Sequence, residues 1–316
     1  MKGENRMGKY NLNKDLRKYQ NQKSHLKPTL LPIINRILAI SFRMKKISDG
    51  VIATKSKIRG YKGNPISITV FEPKGIKRNA PCLIYLHGGA FYLKAATYHK
   101  YLIGEYSSKT PCKVVLVDYR LAPKYAFPVG VEDCYAAFKW VYQHADKLEI
   151  DKNLIAIGGD SAGGALCAAV TQMARDFKAP KICFQMLVYP VTDARQNSET
   201  IKKYVDTPLW DSIENNKMWK MYLKDGDFNQ RAYASPMEAT SFMDLPDAYV
   251  EVSEFDCLRD EGILYAEALE KSGCRVELNK TVGTIHGFEI AEKSKITSES
   301  VNRRVKALQR VFYSTK

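Results

Sequence analysis

The chain has 316 residues, of which 45% are hydrophobic, so it is long enough to bury the core of a catalytic domain. It carries 49 Lys and Arg against 34 Asp and Glu, and residues 1–60 hold +12 of the net charge of +15. No nucleic-acid-binding module is visible, and aromatic residues are not interleaved with the basic ones, so nucleic acid is not an expected partner. The polar N-terminus and the absence of a long apolar run argue against a signal peptide and a membrane-spanning helix.

Residues 1–50 form a basic segment that leads into a periodic apolar run. The apolar positions from Leu30 to Ile40 recur at spacings of three and four, which predicts a helix that covers the pocket as part of a cap. The preceding residues, up to about residue 25, are interpreted as a solvated arm. Binding of this segment to an anionic membrane surface is the less favoured alternative.

Apolar runs typical of strands alternate with helix-like stretches along residues 51–316, the predicted catalytic domain. This alternation predicts an α/β fold with a mostly parallel central sheet flanked by helices on both faces. Residues from about 192 to 234 interrupt it and are rich in Trp, Tyr and Met, which indicates a helical cap insertion. The predicted strands are Ile66–Phe71, Cys82–Leu86, Val114–Val117, Leu154–Gly158, Ile182–Val188, Ala248–Val252 and Val276–Thr281. The predicted helices include Val131–His144, Ala162–Ala174, Gly262–Lys271 and Glu299–Phe312.

The most informative motif is Gly159–Gly163, with Ser161 at its centre. It follows a predicted strand and opens a predicted helix, so the serine would lie on a sharp turn at a helix N-terminus. The flanking glycines suit this turn, because side chains there would collide with the neighbouring strand. The pattern predicts a serine nucleophile, and the alternative is a glycine-rich turn in which Ser161 only caps the helix.

A second glycine motif, His87–Phe91, follows the predicted strand Cys82–Leu86. Glycines at a strand end leave backbone N–H groups uncovered, and two of these could surround a developing oxyanion together with the N–H of Ala162. An ordinary strand-ending turn is an equally good interpretation of this motif alone.

Enzymes with a serine nucleophile on such a strand–turn–helix carry first the acid and then the histidine base later in the chain. The five histidines are at positions 25, 87, 99, 144 and 286, and only His286 follows Ser161. His286 also comes after a strand-like run, in a loop from which it could reach over the sheet edge. It is therefore the predicted base.

The acid is expected after a strand between Ser161 and His286, and Ala248–Val252 is that strand. Asp256 lies just past its end and is the favoured acid. Glu254, which borders the strand, is the alternative. Asp260 and Glu261 are typical of the first turn of the next helix, where acidic groups interact favourably with the helix dipole.

The chain resembles the hormone-sensitive lipase-like branch of the α/β-hydrolases, which contains many bacterial carboxylesterases. The matching segments, in family order, are His87–Phe91, Asp118–Pro123, Gly159–Gly164, Asp256–Gly262 and His286–Phe288. The resemblance implies that Ser161 is the nucleophile, Asp256 the acid and His286 the base. It also implies that Gly88, Gly89 and Ala162 are the oxyanion donors. Ala90 and Cys257 depart from the family pattern, which often has a glycine and a proline there.

The predicted function is a serine carboxylesterase that hydrolyses short- to medium-chain acyl esters through an acyl-enzyme. An acyltransferase or peptidase on the same triad is the first alternative, and a non-catalytic small-ligand binder is the second. The expected partner is a small ester, a homodimer is left open, and no metal or organic cofactor is expected. The seven cysteines include no C-x-x-C pair, which favours thiols in a reducing, cytoplasmic setting.

Overall fold

The computed structural model describes residues 9–25 and 27–314. The strands of this part are β1 (Val51–Arg59), β2 (Pro65–Pro73), β3 (Ala80–Leu86), β4 (Lys113–Asp118), β5 (Ile150–Asp160), β6 (Gln185–Val188), β7 (Ala248–Phe255) and β8 (Val276–Ile285). Its α-helices are α1 (Leu31–Met44), α2 (Thr97–Lys109), α3 (Val129–Gln143), α4 (Ala162–Asp176), α5 (Glu199–Lys203), α6 (Ser212–Tyr222), α7 (Arg231–Ala234), α8 (Arg259–Lys271) and α9 (Lys295–Tyr313).

The described strands form one eight-stranded sheet in the order β1-β2-β4-β3-β5-β6-β7-β8. Strands β3 to β8 are all parallel to one another, whereas β2 is antiparallel to both β1 and β4. The carboxyl ends of β5, β7 and β8 therefore meet at one edge of the sheet, where ligands of open α/β sheets bind. The predicted α/β-hydrolase fold, with a mostly parallel sheet covered by helices, is confirmed.

Strand β1 is absent from the strands predicted from the sequence. It is the edge strand of the sheet, and most of its residues are exposed. An exposed edge strand carries no continuous apolar run, so hydrophobic periodicity alone does not detect it. Its pairing with β2, from Val51 opposite Pro73 to Arg59 opposite Pro65, is decided by tertiary contacts.

The sheet separates two apolar layers, as the alternation along β3 shows. Cys82, Ile84 and Leu86 belong to the larger cluster, which includes residues of α3, α4 and α8. Leu83 and Tyr85 belong to the opposite cluster, which includes residues of α2 and α9. Because successive strand side chains point to opposite faces, helices can cover both sides of the sheet.

Residues 9–25, which we call the N-terminal strap, pack against the protein. The strap contains a 3₁₀ helix, Lys14–Tyr19, and its Leu12 and Leu16 lie in a buried cluster with Ile285 and Phe288. The interpretation as a solvated arm is therefore wrong for these residues, and residues 1–8 lie outside the described part. The reason is that Leu12 and Leu16, which lie among basic residues, pack against Ile285 and Phe288 near the other end of the chain.

Helix α1 forms where the periodic apolar run predicts it. The expectation that this run covers the pocket is wrong for Ile33, Ile37 and Ile40, which are more than half exposed to solvent. None of the helices within the described ranges has the length and apolar character needed to cross a lipid bilayer.

Candidate active site

Ser161 lies between the last residue of β5 and the first residue of α4. Its backbone has φ 55° and ψ −123°, a conformation that non-glycine residues rarely adopt. A Cβ atom at Gly159 would lie 2.3 Å from the Leu86 carbonyl oxygen, and one at Gly163 would lie 2.0 Å from the same atom. The two glycines are therefore required by the close approach of β3, and the strand–turn–helix predicted for Gly159–Gly163 is present.

The structure brings Ser161, His286 and Asp256 into one hydrogen-bonded chain. His286 Nε2 is 2.8 Å from Ser161 Oγ, and His286 Nδ1 is 2.8 Å from Asp256 Oδ2. Asp256 is fully buried, whereas Ser161 and His286 remain 7% and 8% exposed. A base that contacts the hydroxyl while its other nitrogen contacts a carboxylate has the geometry for nucleophilic catalysis.

The acidic residues near the end of β7 have separate partners. Asp256 Oδ1 accepts a hydrogen bond from the Leu258 N–H, 3.0 Å away, which fixes the carboxylate that faces His286. Glu254 Oε2 instead accepts the Gly283 N–H at 2.6 Å and so supports the loop that carries His286. The contact with His286 is thus made by the favoured acid and not by the alternative one.

The loop that contains Cys257 is held by hydrogen bonds to helix α5. The Cys257 carbonyl accepts a hydrogen bond from Thr200 Oγ1 at 3.0 Å. The Thr200 N–H also donates to Asp260 Oδ2 at 3.0 Å. Helix α5 therefore restrains the loop beside Asp256 through Thr200.

The glycine turn after β3 requires a correction to the predicted oxyanion donors. The Gly88 N–H donates to Asp160 Oδ1 at 3.1 Å, so this buried donor is already occupied. The N–H groups of Gly89 and Ala90 make no hydrogen bond within the part of the chain described. Both residues have positive φ, 124° and 55°, in a turn that exposes successive N–H groups. Ala162 is the first residue of α4, where the N–H has no intrahelical acceptor.

Asp160, next to the nucleophile, has a structural role that sequence reasoning missed. Besides the Gly88 N–H, its buried carboxylate accepts from the hydroxyls of Tyr85 and Tyr98 at 2.7 and 3.2 Å and contacts His99 Nε2 at 3.1 Å. Burial by itself would raise the pKa of Asp160, but His99 and the hydrogen bonds outweigh it and lower that pKa. A carboxylate at the end of a buried strand was the available signal, because such a group must have partners.

His87 is also part of the support for this turn. Its ring stacks on Tyr119, with the centroids 4.5 Å apart, and its Nδ1 lies 2.7 Å from the Gly88 carbonyl oxygen. Burial, reinforced by the nearby His99, lowers the pKa of His87 to about 4, so the ring is neutral at neutral pH. The neutral ring can donate through Nδ1 to the Gly88 carbonyl, which holds the turn in position.

Aromatic residues between β6 and β7 lie over the site. The Trp210 ring is 6.0 Å from His286, and Tyr222 of α6 stacks on Phe91 with the ring centroids 3.8 Å apart. Tyr189, at the end of β6, lies 4.6 Å from His286. These rings place apolar surface beside His286 and beside Phe91 of the glycine turn. Within residues 9–25 and 27–314, no group of three or more His, Cys, Asp and Glu side chains could hold a metal ion.

The comparison with protein families agrees with this geometry. Residues 83–290 match a family model described as alpha/beta hydrolase fold. Esterase LipI of Mycobacterium tuberculosis is 32% identical over 310 residues, which cover 91% of this chain and 97% of the relative. An arylesterase of Saccharolobus solfataricus is 33% identical over 276 residues, which cover 87% of this chain and 86% of the relative.

A solved structure extends the similarity to the full fold. A bacterial heroin esterase is 31% identical and has a TM-score of 0.87, covering 96% of this chain and 99% of that protein. The family match spans more than half of the chain and includes Ser161, Asp256 and His286. The chain therefore belongs to the hormone-sensitive lipase-like branch of the α/β-hydrolases and is a carboxylesterase-type enzyme of that fold.

Proposed function

We propose that the protein is a serine carboxylesterase that hydrolyses short- to medium-chain acyl esters through an acyl-enzyme. The observation that carries the proposal is the pair of 2.8 Å contacts that join Ser161 to His286 and His286 to Asp256. The names of the similar proteins, which include esterases and an arylesterase, support the same class of reaction.

In the first half of the reaction, Ser161 Oγ attacks the ester carbonyl carbon while His286 Nε2 takes the hydroxyl proton. The Asp256 carboxylate holds the imidazole through Nδ1 and stabilises its charged form. The carbonyl oxygen becomes an oxyanion, which the N–H groups of Gly89, Ala90 and Ala162 stabilise. His286 then returns the proton to the departing alcohol, and the acyl group remains on Ser161.

In the second half, water replaces the alcohol. His286 removes a proton from the water as it attacks the acyl carbonyl, and the same N–H groups stabilise the second oxyanion. Collapse of this intermediate breaks the bond to Ser161 Oγ, which recovers its proton from His286. The products are a carboxylic acid and the regenerated serine. We base the preference for short and medium acyl groups on the aromatic rings of Trp210 and Tyr189, whose centroids lie 6.0 and 4.6 Å from that of His286.

The decisive variant is Ser161→Ala, which removes the attacking oxygen and leaves the turn intact. We expect kcat for a panel of nitrophenyl esters to fall by roughly a million-fold, as for other enzymes that lose such a serine. Ser108→Ala is the matched control, because the Ser108 hydroxyl only donates to the Gly104 carbonyl within α2. Near-normal turnover by a folded Ser161→Ala protein would refute the proposal.

The same panel tests substrate class. Esters with acyl chains of increasing length give the chain-length preference, and nitroanilides of the same acids detect peptidase-type activity. Added methanol detects acyl transfer, because a transferase would form the methyl ester in preference to the free acid. Faster hydrolysis of the longest acyl chains would overturn the proposed preference for short and medium chains.

A further inference from the structure

Helix α1 has an apolar stripe that faces solvent. Met44 is 77% exposed, and Leu30, just before the helix, is 46% exposed. Between them, Ile33, Ile37 and Ile40 are 61%, 57% and 51% exposed. The successive spacings of three, four, three and four residues place all five side chains on one face of a helix.

The opposite face of the helix is the one attached to the protein. Leu31 is buried, and Phe42 packs at the edge of the core cluster beneath α2. Asn35 joins α1 to the loop that follows the glycine turn, accepting from the Lys94 N–H and donating to the Tyr92 carbonyl, both at 2.8 Å. The exposed stripe is therefore the outer face of a firmly docked helix.

The sequence around the stripe has an unusual charge pattern. Residues 16–48 contain eight Lys and Arg and no Asp or Glu. Arg36, Arg43 and Lys46 are exposed, and in the described part of the chain they form no ion pair. Arg36 and Arg43 are seven residues apart and lie along one side of the stripe, as expected for an apolar face bordered by cations.

We propose that α1 is an interfacial helix that binds the protein to the surface of an anionic lipid bilayer. The stripe would enter the boundary between head groups and acyl chains, while the flanking cations contact lipid phosphates. A second copy of this chain fits the charge less well, because a symmetric contact would bring two acid-free cationic segments together. The bound helix would hold the loop after the glycine turn, through Asn35, close to the lipid surface.

Co-sedimentation with vesicles tests the proposal directly. The full-length protein should bind vesicles of equal phosphatidylglycerol and phosphatidylcholine, bind pure phosphatidylcholine more weakly, and dissociate as salt is added. The variant Ile33→Gln, Ile37→Gln, Ile40→Gln should bind the anionic vesicles about a hundredfold more weakly. The variant Arg36→Gln, Arg43→Gln, Lys46→Gln should lose about tenfold or more and show little salt dependence.

The matched control replaces three exposed apolar residues elsewhere, as Phe177→Gln, Met243→Gln, Leu264→Gln, and should bind like the unchanged protein. All variants should hydrolyse a soluble short ester at the normal rate, which shows that they are folded. Equal binding by the α1 variants and the control would overturn the proposal. So would a dimer in solution that the Ile→Gln variant dissociates, combined with no vesicle binding by the unchanged protein.

Discussion

Asp256 and Glu254 lie two positions apart at the end of β7, but they act on different parts of the site. Asp256 contacts His286 itself, whereas Glu254 accepts a backbone N–H from Gly283 in the loop that leads to His286. Residues two apart in a strand lie on the same face, but Asp256 lies beyond the end of β7, so the two side chains can reach different partners.

The first prediction separates these two carboxylates. Asp256→Asn should lower kcat by about ten-thousand-fold, because the imidazole loses the partner that orients it and stabilises its charge. Glu254→Gln is the matched control and should change kcat by less than about tenfold, since the amide oxygen can still accept the Gly283 N–H. Steady-state kinetics on a nitrophenyl ester measure both, and the reverse pattern would move the acid to Glu254.

The second prediction concerns pH and the buried Glu261 of α8. Glu261 Oε1 accepts the Thr192 N–H at 2.6 Å, while Oε2 has no hydrogen-bond partner in the described part of the chain. Burial raises the pKa of Glu261 well above its usual value. Above the unfolded-state pKa of about 4, the unfolded chain releases this proton while the folded protein keeps it. The contribution of Glu261 to the free energy of unfolding is therefore largest below about pH 4 and decreases as the pH rises toward the raised folded-state pKa.

Glu261→Gln stays neutral at every pH and should escape this loss. We expect its Tm, relative to that of the unchanged protein, to increase by roughly 2–5 °C between acidic and neutral pH. Thermal unfolding measured across that range checks it, with Glu267→Gln as the control for removing an exposed carboxylate from the same helix. A constant Tm difference for Glu261→Gln would contradict the argument.

At the scale of elements, the N-terminal strap is joined to the loop that carries His286. The Asn13 N–H donates to the Gly283 carbonyl at 2.9 Å, and Tyr10 packs against Phe255 with the ring centroids 5.4 Å apart. Lys9 and Tyr10 both bind the Asp206 carboxylate from the segment between β6 and β7. The strap thus connects the His286 loop to the segment between β6 and β7.

The third prediction follows from this packing. Leu16 is fully buried in the cluster that contains Ile285 and Phe288 on either side of His286. Leu16→Ala should lower the free energy of unfolding by about 2–5 kcal/mol. It should also reduce kcat, because the His286 loop loses support. Urea unfolding and ester kinetics measure both effects. Lys18→Ala, in the same 3₁₀ helix but exposed, should change neither.

This expectation replaces the one that the sequence supported. A solvated arm could be removed without effect on a soluble substrate, whereas truncation after residue 25 would now remove part of the core. If the truncated protein kept normal stability and kcat, the strap would have no structural role.

At the scale of the whole molecule, a buried ion network connects three distant segments. Arg304 of α9 donates to Glu251 of β7 at 2.6 Å and also to Glu289, just after the His286 turn. Glu289 in turn accepts the Tyr189 hydroxyl at 2.5 Å, and the Tyr189 ring contacts His286. Helix α9 is therefore linked to His286 through Glu289 and Tyr189.

The fourth prediction tests this network. Arg304→Met should lower the free energy of unfolding by about 3–5 kcal/mol, because it leaves two buried carboxylates without their cation. Lys306→Met is the control on the same helix, and as an exposed position it should change stability by less than about 0.5 kcal/mol. Equal urea midpoints for the two variants would show that the ion network does not stabilise the fold.

The sequence by itself determined the parts of this protein whose chemistry is local. The role of the glycines around Ser161 can be inferred from the motif alone, because a tight strand–turn–helix tolerates no side chain at Gly159 and Gly163. His286 was the only histidine after Ser161, and Asp256 lay just past the predicted strand Ala248–Val252. The parallel sheet followed from apolar runs alternating with helical ones.

Only the tertiary structure decided the rest. In the folded protein the Gly88 N–H donates to Asp160, and the strap packs against the His286 loop. The side chains of Ile33, Ile37 and Ile40 face solvent. These features depend on residues far apart in the chain that meet only after folding. A periodic apolar pattern shows that a helix has two faces, but which face is buried depends on the surface that the remaining chain presents to it.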